Sequence, residues 1–438
     1  MGMKNIRQEE IIHNLGFETL NEIQTVTAET SEINHNILLL APTGSGKTVA
    51  FILGFLSHIN DKDGVQVLIL APTRELVLQI ESVLKKMKLP WKVNSAYGGH
   101  PFSVEKKNFI HPPRILVGTP GRIQDHLQRE TLDASGIHHV VYDEFDKSLE
   151  FGFADQMEYI RRKLLNLKGQ TLVSATQNIE IPAFLRFFDY ETLDFTSEDS
   201  NLLSLKQIIV PKDQKPEGLL QFVNSLDTDK NVLVFVNHRD ACDRIGDYFR
   251  ILKMSCSIFH GGLEQNQREL ELAKFRNGSS RVLIATDIAS RGIDIPELDY
   301  VIHYQISPQE NVFTHRNGRT ARMKATGTAL LIRSDQDKLP EYISEEPETL
   351  TFDKDCPVKT ADWVTLYIGK GKKDKINKMD LVGFFLQFDF MKKEDLGLIE
   401  VKDYYALVAV NISKHKQLLK SSQGLRIKRM QPKIEVAR

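Results

Sequence analysis

The segment A-P-T-G-S-G-K-T, residues 41–48, follows a short apolar run and precedes a helix-length stretch. Gly44 and Gly46 allow the backbone to turn so that its N–H groups point inward at phosphate groups. Lys47 is then placed to reach the β and γ phosphates, and the Thr48 hydroxyl to bind Mg²⁺. This spacing predicts a site for a nucleoside triphosphate and Mg²⁺.

A second element, V-V-Y-D-E-F-D at 140–146, places carboxylates at the end of an apolar strand. Ligands gather at strand ends in open α/β sheets. Asp143 is a candidate to hold Mg²⁺ through water, and Glu144 a candidate to polarise an attacking water molecule. A solvated acidic loop is the alternative, and the phosphate loop upstream disfavours it.

A third element, H-R-N-G-R-T-A-R at 315–322, concentrates positive charge within one or two helical turns. Guanidinium groups commonly stabilise the charge of a transferring phosphoryl group, so Arg319 and Arg322 are candidate arginine fingers. The alternative is a basic helix face without a catalytic role.

Short apolar runs alternate with amphipathic stretches along most of the chain, and this alternation predicts parallel α/β sheets. The predicted strands form two series, 36–40, 65–70, 93–97, 115–117, 139–142 and 171–173, then 232–236, 256–259, 282–285, 300–303 and 327–332. We therefore predict two similar α/β domains joined near residue 200.

After a connector at 344–357 the pattern changes to βαββαβ. Strands are predicted at 363–368, 398–401, 404–410 and 426–430, and helices near 380–388 and 413–419. This order predicts a small sheet with two helices on one face.

The composition favours a globular chain of several domains, with 438 residues, 41% of them hydrophobic and 26% charged. No apolar run approaches the roughly 18 residues that span a bilayer, and the N-terminus lacks an apolar signal core. Cys242, Cys256 and Cys356 are too scattered for a disulfide framework or a zinc site. We expect no membrane association, no export and a reducing cytoplasm.

Positive charge is concentrated at the C-terminal end. Residues 359–438 contain 17 Lys or Arg against 9 Asp or Glu, whereas the other 358 residues contain 40 against 49. This asymmetry directs the search for a polyanion contact to the last eighty residues, although a solvated basic surface is an equal alternative.

Together these elements resemble the ATP-dependent RNA helicases of the DEAD-box family over residues 16–332. The remaining matches are G-F-E-T-L-N-E-I-Q (16–24), P-T-R-E-L (72–76), G-G (98–99), T-P-G-R (119–122), S-A-T (174–176), F-V-N (235–237) and A-T-D-I-A-S-R-G-I-D (285–294). Many independent matches in the right order leave little room for coincidence.

The resemblance implies a role for each matching residue. ATP would contact Gln24 through its adenine edge, Asp294 through its ribose region, and the loop residues Thr43, Gly44, Ser45, Gly46, Lys47 and Thr48. RNA would contact Arg74, Gly99, Thr119, Arg122, Arg239 and Thr286. Asp146, Ser174, Thr176 and His315 would couple hydrolysis to RNA, and Thr48 and Asp143 would bind the metal.

Residues 363–383 resemble the RNA-binding domain of DbpA-type bacterial DEAD-box proteins, a variant of the RNA recognition motif (RRM). Lys372, Lys373 and Lys375 of the lysine-rich loop would neutralise RNA phosphates. By alternation Tyr367 and Tyr405 face outward, as base-stacking aromatics would, whereas Leu407 stands where a further aromatic is expected. Packing or simple exposure is an equal alternative for these tyrosines.

The implied fold is α/β: two tandem RecA-like parallel-sheet domains, at 1–200 and 201–350, followed by a small α+β RRM-like domain at 359–438. The implied target is structured ribosomal RNA during large-subunit assembly. We expect a monomer that binds ATP, Mg²⁺ and RNA and acts on pre-ribosomal particles.

Three elements depart from the family pattern, at four positions. Phe145 replaces the alanine of the family's signature, and we expect the neighbouring core to have repacked around it. Asn317 and Ala321 stand where isoleucine and glycine are usual. Arg7 stands near the distance at which the family has an adenine-stacking aromatic, so we expect weaker adenine selectivity.

Our hypothesis is an RNA-dependent ATPase in which two α/β domains close on ATP and single-stranded RNA and open short duplexes. Two alternatives remain open at this point. One is an RNA-binding clamp or scaffold with weak ATPase activity, and the other is a DNA-directed translocase, which the element at Gln24 and the C-terminal segment disfavour.

Overall fold

The structure is a computed structural model, and it describes residues 8–42, 44–176, 180–196, 203–290, 295, 298–320 and 327–437. The chain divides into two compact units near residue 201. None of the helices in the described residues is long and apolar enough to cross a membrane.

The first unit is built on a seven-stranded parallel sheet. Its strands are β1 (Asn36–Leu40), β2 (Val67–Leu70), β3 (Val93–Ala96), β4 (Ile115–Gly118), β5 (His139–Tyr142), β6 (Gly169–Ser174) and β7 (Glu191–Asp194). Its helices are α1 (Gln8–Leu15), α2 (Glu22–Ile33), α3 (Lys47–Leu56), α4 (Arg74–Lys86), α5 (Phe102–Asn108), α6 (Pro120–Gln128), α7 (Phe145–Glu150) and α8 (Ala154–Lys163). The strand order is β3-β4-β2-β5-β6-β1-β7.

The second unit begins with another seven-stranded parallel sheet, in the order β10-β11-β9-β12-β13-β8-β14. The strands are β8 (Leu203–Ile209), β9 (Val232–Phe235), β10 (Cys256–Phe259), β11 (Val282–Ala285), β12 (Tyr300–His303), β13 (Gly327–Arg333) and β14 (Glu348–Thr349). The helices are α9 (Lys215–Ser225), α10 (Arg239–Ile251), α11 (Gln265–Arg276) and α12 (Glu310–Asn317). We call this part domain 2.

The same unit ends in a small antiparallel sheet of order β16-β17-β15-β18, which we call the C-terminal domain. Its elements are β15 (Trp363–Ile368), α13 (Lys378–Leu386), β16 (Leu396–Val401), β17 (Ala406–Asn411), α14 (His415–Ser421) and β18 (Ile434–Val436). The predicted fold class, two parallel-sheet domains followed by a small α+β domain, is confirmed.

One predicted strand was misplaced. The fourth strand of the C-terminal domain is β18 and not residues 426–430, where Ile427 and Met430 form only an isolated bridge. Lys428 lies between them with φ +56°, so this short stretch turns back on itself. The apolar residues of 426–430 belong to a tight turn, in which Ile427 is buried and Met430 packs against the same core.

Buried strands explain why the sequence shows continuous apolar runs. Every residue of β2, β4 and β5 is buried, as expected for parallel strands covered by helices on both faces. Because β5, β6 and β1 are neighbours, the loops that leave their carboxyl ends lie side by side. This edge of the sheet positions the phosphate loop and the acidic element.

A histidine cluster lies at the amino-terminal ends of the strands of the same sheet, opposite the phosphate loop. The rings of His58 and His139 stack at 5.6 Å between centroids, and His35 meets His58 edge-on at 4.7 Å. Burial lowers the pKa of His139 to about 3, with the nearby histidines adding to the effect. Within the described residues, no group of three or more His, Cys, Asp or Glu side chains is placed to hold a metal ion.

Candidate active site and nucleic-acid interface

The phosphate loop joins β1 to α3 through two left-handed glycines. Gly44 has φ +87° and Gly46 φ +93°, a region that residues with a Cβ atom rarely adopt. Helix α3 begins at Lys47, so its first N–H groups face the loop. The Lys47 ammonium donates to the Ala41 carbonyl at 2.6 Å. Thr43 lies outside the described residues.

The start of α2 packs directly on this loop. Asn21 and Gln24 form a reciprocal capping box, and the Asn21 amide also donates to the Ser45 carbonyl at 2.8 Å. A Cβ atom at Gly46 would lie 2.6 Å from Gln24 Nε2. The element around Gln24 and the phosphate loop therefore form one structural unit.

Asp143 and Glu144 follow β5 at the same sheet edge. The Asp143 side chain is buried, and burial raises its pKa to about 7, with the charge of Glu144 adding to the effect and Lys47 opposing it. The Glu144 amide donates to Asp143 Oδ1 at 3.0 Å. Thr48 and Asp143 provide oxygen ligands of the kind Mg²⁺ prefers, and Mg²⁺ usually takes only one or two protein ligands beside water and phosphate.

Ser174 and Thr176 lie next to the phosphate loop, at the end of β6. The Ser174 carbonyl accepts from the Ala41 amide at 3.0 Å. The Ser174 hydroxyl accepts from the Thr176 amide at 3.0 Å, which fixes the turn between them. Ser174 is therefore hydrogen-bonded to the segment that leads into the phosphate loop, and Thr176 is bonded to Ser174.

Four predicted RNA contacts gather around the segment after β3. The Arg74 guanidinium lies 4.7 Å from the centre of the Tyr97 ring. Gly99 has φ +83°, and a Cβ atom there would lie 3.2 Å from Arg74 Nη1. Thr119 occupies the position just before α6, and Arg122 lies in the first turn of that helix.

Glu105 organises this cluster, and the sequence analysis missed it. Its carboxylate accepts from Arg122 Nε at 2.6 Å and from the Tyr97 amide at 3.2 Å, and it contacts His126 Nε2 at 2.8 Å. His100 Nδ1 also lies 3.1 Å away. Burial opposes ionisation, yet His126 and Arg122 hold the pKa of Glu105 below its usual value. No motif marks this residue, because its partners lie up to 21 positions away along the chain.

Domain 2 presents its predicted site residues at the end of α12 and after β9 and β11. Arg319 and His315 are buried, whereas the Arg239 side chain is exposed at the start of α10. Thr286 follows β11, the neighbour of β9. Arg322 and Asp294 lie outside the described residues.

Arg316 is a second hub that the sequence analysis did not single out. Its guanidinium donates to Asp287 Oδ1 at 2.6 Å, to the Gln305 carbonyl at 2.8 Å and to Asn237 Oδ1 at 2.8 Å. The side chain is fully buried and lies over the Phe235 ring. Arg316 thus ties the F-V-N and A-T-D elements to the arginine-bearing helix.

The predicted RNA-binding residues of the C-terminal domain lie in two different environments. Lys372, Lys373 and Lys375 are exposed on the loop between β15 and α13. Tyr367 lies on the outer sheet face as predicted, but its ring is half-buried and stacks on Tyr405 at 5.4 Å. This arrangement fits packing, one of the two alternatives that the sequence left open for these tyrosines.

Three family models match the chain. They are the DEAD/DEAH box helicase (residues 21–183), the helicase conserved C-terminal domain (214–324) and the DbpA RNA binding domain (365–436). The ATP-dependent RNA helicase DbpA of Escherichia coli K12 is 31% identical over 95% of this chain and 94% of its own length. This chain belongs to the DEAD-box ATP-dependent RNA helicases of DbpA type.

Further relatives agree with this assignment. The DbpA helicase of Bacillus subtilis is 27% identical over 97% of this chain and 96% of its own. Among solved structures, Saccharomyces cerevisiae Dbp5 bound to RNA and ADP BeF3 is 25% identical, with a TM-score of 0.68 over 79% of this chain and 94% of that one. The predictions of a DbpA-like DEAD-box helicase and of an RNA-dependent ATPase are confirmed.

Two departures of this helicase from the family pattern have a physical explanation. Phe145 is fully buried and meets Tyr142 edge-on at 6.0 Å, within the core under β5. Asn317 accepts a hydrogen bond at 2.7 Å from His303 Nε2, so a buried polar pair replaces an apolar residue. Ala321 and Arg7 lie outside the described residues.

Variants of Glu105 test whether its contacts hold the predicted RNA-binding residues in place. Glu105→Gln keeps the shape but removes the charge, and Glu105→Ala removes both. Because hydrogen bonds to a charged group contribute more than neutral ones, we expect the alanine variant to raise the RNA concentration for half-maximal ATPase stimulation about tenfold or more, and the glutamine variant less.

The rate at saturating RNA and the KM for ATP should stay unchanged, because Glu105 acts only through Arg122 and the Tyr97 segment. Glu158→Ala, which breaks an exposed pair with Arg162, is the matched control. An alanine variant with the half-saturating RNA concentration of the parent would show that Glu105 only supports the fold.

Proposed function

We propose that this helicase remodels short duplexes in structured ribosomal RNA during assembly of the large subunit, with the C-terminal domain selecting the target. The observation that carries the proposal is the match of residues 365–436 to the DbpA RNA binding domain. The excess of 17 Lys or Arg over 9 Asp or Glu in residues 359–438 supports it, because each neutralised phosphate adds sequence-independent affinity.

In the proposed mechanism the phosphate loop and Lys47 bind the β and γ phosphates of ATP. Thr48 and, through water, Asp143 would hold Mg²⁺, which would supply positive charge to neutralise the phosphate oxygens. Glu144 orients the water that attacks the γ phosphate, and Arg319 and Arg322 stabilise the charge that develops. Phosphoryl transfer needs positioning and charge stabilisation more than covalent help, which fits this set of side chains.

The proposed RNA contacts are Arg74, Gly99, Thr119, Arg122, Arg239 and Thr286. Contacts of backbone amides and guanidinium groups with phosphates and sugars read shape and not base sequence. Target preference then falls to Lys372, Lys373 and Lys375 of the C-terminal domain. Asp146, Ser174, Thr176 and His315 link the two activities, since Ser174 already contacts the segment that leads into the phosphate loop.

The catalytic roles predict the behaviour of two variants. Lys47→Ala removes the phosphate contact and Glu144→Gln removes the base that orients water, so both should abolish RNA-stimulated phosphate release. Because Glu144 does not hold the phosphates, Glu144→Gln should still bind ATP in equilibrium calorimetry, whereas Lys47→Ala should bind it weakly. A Glu144→Gln protein with undiminished turnover would contradict the assignment, and Glu158→Gln serves as control.

The ribosomal target is tested by RNA preference. We expect fragments of large-subunit ribosomal RNA to stimulate ATP hydrolysis at about a tenfold lower concentration than structured RNAs of equal length and shuffled sequence. Lys372→Ala/Lys373→Ala should reduce this preference and flatten its salt dependence, because two phosphate contacts are lost. Equal stimulation by both RNA classes would refute the ribosomal assignment and leave the helicase activity in place.

A further inference from the structure

The sheet of the C-terminal domain is covered on both faces. Ala406, Val408 and Val410 of β17 belong to the core shared with α13 and α14. On the outer face Leu407 is only 1% exposed and packs with Ala273 of α11, a helix of domain 2. An antiparallel sheet with one solvated face shows apolar and polar residues in alternation. The unbroken apolar sequence of β17 instead fits a strand buried on both sides.

The two outer tyrosines take part in this contact. Tyr367 and Tyr405 stack on each other and pack with Leu270 of α11. The Tyr405 hydroxyl donates to Glu269 Oε2 at 3.3 Å. Domain 2 therefore occupies the surface on which an exposed sheet would stack bases.

Polar side chains fix the position of α11 relative to this sheet. Arg276, at the end of α11, donates to Glu400 through Nε at 3.0 Å and through Nη2 at 2.9 Å. This two-pronged geometry is among the strongest side-chain pairings and sets orientation as well as distance. Next to it, Asn277 donates to the Thr365 hydroxyl at 2.8 Å, and Thr365 in turn donates to Ser279 at 2.8 Å.

The same contact extends to the lysine-rich loop. Lys402 pairs with Glu400 Oε2 at 2.8 Å, the oxygen that also accepts from Arg276 Nη2. The Lys372 amide donates to the Lys402 carbonyl, and the Lys373 amide to the Asp403 carbonyl, both at 2.8 Å. Gly371 lies so close to this turn that a Cβ atom there would collide with the Lys402 carbonyl. A continuous chain of contacts thus leads from the loop to α11.

We propose that α11 is the lasting partner of this sheet face, so that domain 2 and the C-terminal domain move as one rigid body. The lysine loop is then held at a fixed place relative to α12, the helix that carries the arginine element. RNA that binds the loop is thereby held next to domain 2, because the C-terminal domain does not move relative to it. This inference rests on the proposed function, in which the loop binds RNA.

The test uses the full chain with two variants that break the contact by different means. Arg276→Glu places two carboxylates together, and Ala273→Arg forces a long charged side chain into the apolar centre. Arg162→Glu, in an exposed pair of the first unit, is the control.

Two readouts are then compared. The first uses Trp91→Phe chains, in which Trp363, beside Gly278, is the only tryptophan. We expect both contact variants, but not the control, to shift Trp363 emission to the red and to increase its quenching by acrylamide. In the chain with both tryptophans, the same variants should raise the concentration of structured RNA for half-maximal ATPase stimulation about tenfold. A single strand too short to reach the C-terminal domain should stimulate all variants equally.

The possible failures are distinguishable. A parent protein that structured RNA does not stimulate would refute the proposed function. A parent protein that is stimulated, but whose Trp363 is already as open to quencher as in the variants, would refute the docking. Variants that expose Trp363 yet keep the parent's half-saturating RNA concentration would refute the claim that docking presents the RNA.

Discussion

The rest of the site depends on the close approach of α2 to the phosphate loop at Gly46. A Cβ atom at position 46 would lie 2.6 Å from Gln24 Nε2. The Asn21 amide donates to the neighbouring Ser45 carbonyl. The left-handed conformation of Gly46 then starts α3 at Lys47 with its N–H groups aimed at the phosphate site. A small change at this contact would move every donor that the phosphates meet.

Buried side chains with many hydrogen bonds also fix the elements that lie away from the phosphate loop. Glu105 and Arg316 are buried ions, and a buried ion is tolerated only when its hydrogen bonds are satisfied. Glu105 satisfies its own through the segment that holds Tyr97 and through Arg122, and Arg316 through Asp287 and Asn237. Each hub therefore fixes elements that are distant in sequence. The residues proposed to contact RNA therefore depend on these buried centres for their positions.

Much of the fold was predictable because its signals are local. Apolar runs mark the buried strands, and Gly44, Gly46 and Lys47 mark the phosphate loop within a few residues. The roles of Glu105 and Arg316 were not predictable, because their partners come together only in the folded chain. The edge strand β18 was misplaced because Ile427 and Met430 imitate a strand inside a turn.

The C-terminal domain shows what a single-domain interpretation leaves out. Tyr367 and Tyr405 point outward as alternation predicted, but alternation says nothing of a neighbouring domain. Leu407, unexpected on an RNA-stacking sheet, fits a face that meets Ala273. The buried Phe145 likewise shows that a departure within a signature motif can be a change of core packing that leaves the charged groups in place.

The central claim, that ATP is held by a loop whose shape requires glycine at position 46, is tested most directly by calorimetric titration of Gly46→Ala and Gly64→Ala with a non-hydrolysable ATP analogue. Both glycines have positive φ, but a Cβ atom at Gly64 would meet nothing within 4 Å, so Gly64→Ala controls for backbone strain at a position outside the phosphate loop. We expect Gly46→Ala to lose about tenfold or more in affinity while Gly64→Ala binds like the parent. A folded Gly46→Ala protein that binds the analogue as tightly as the parent would contradict the account.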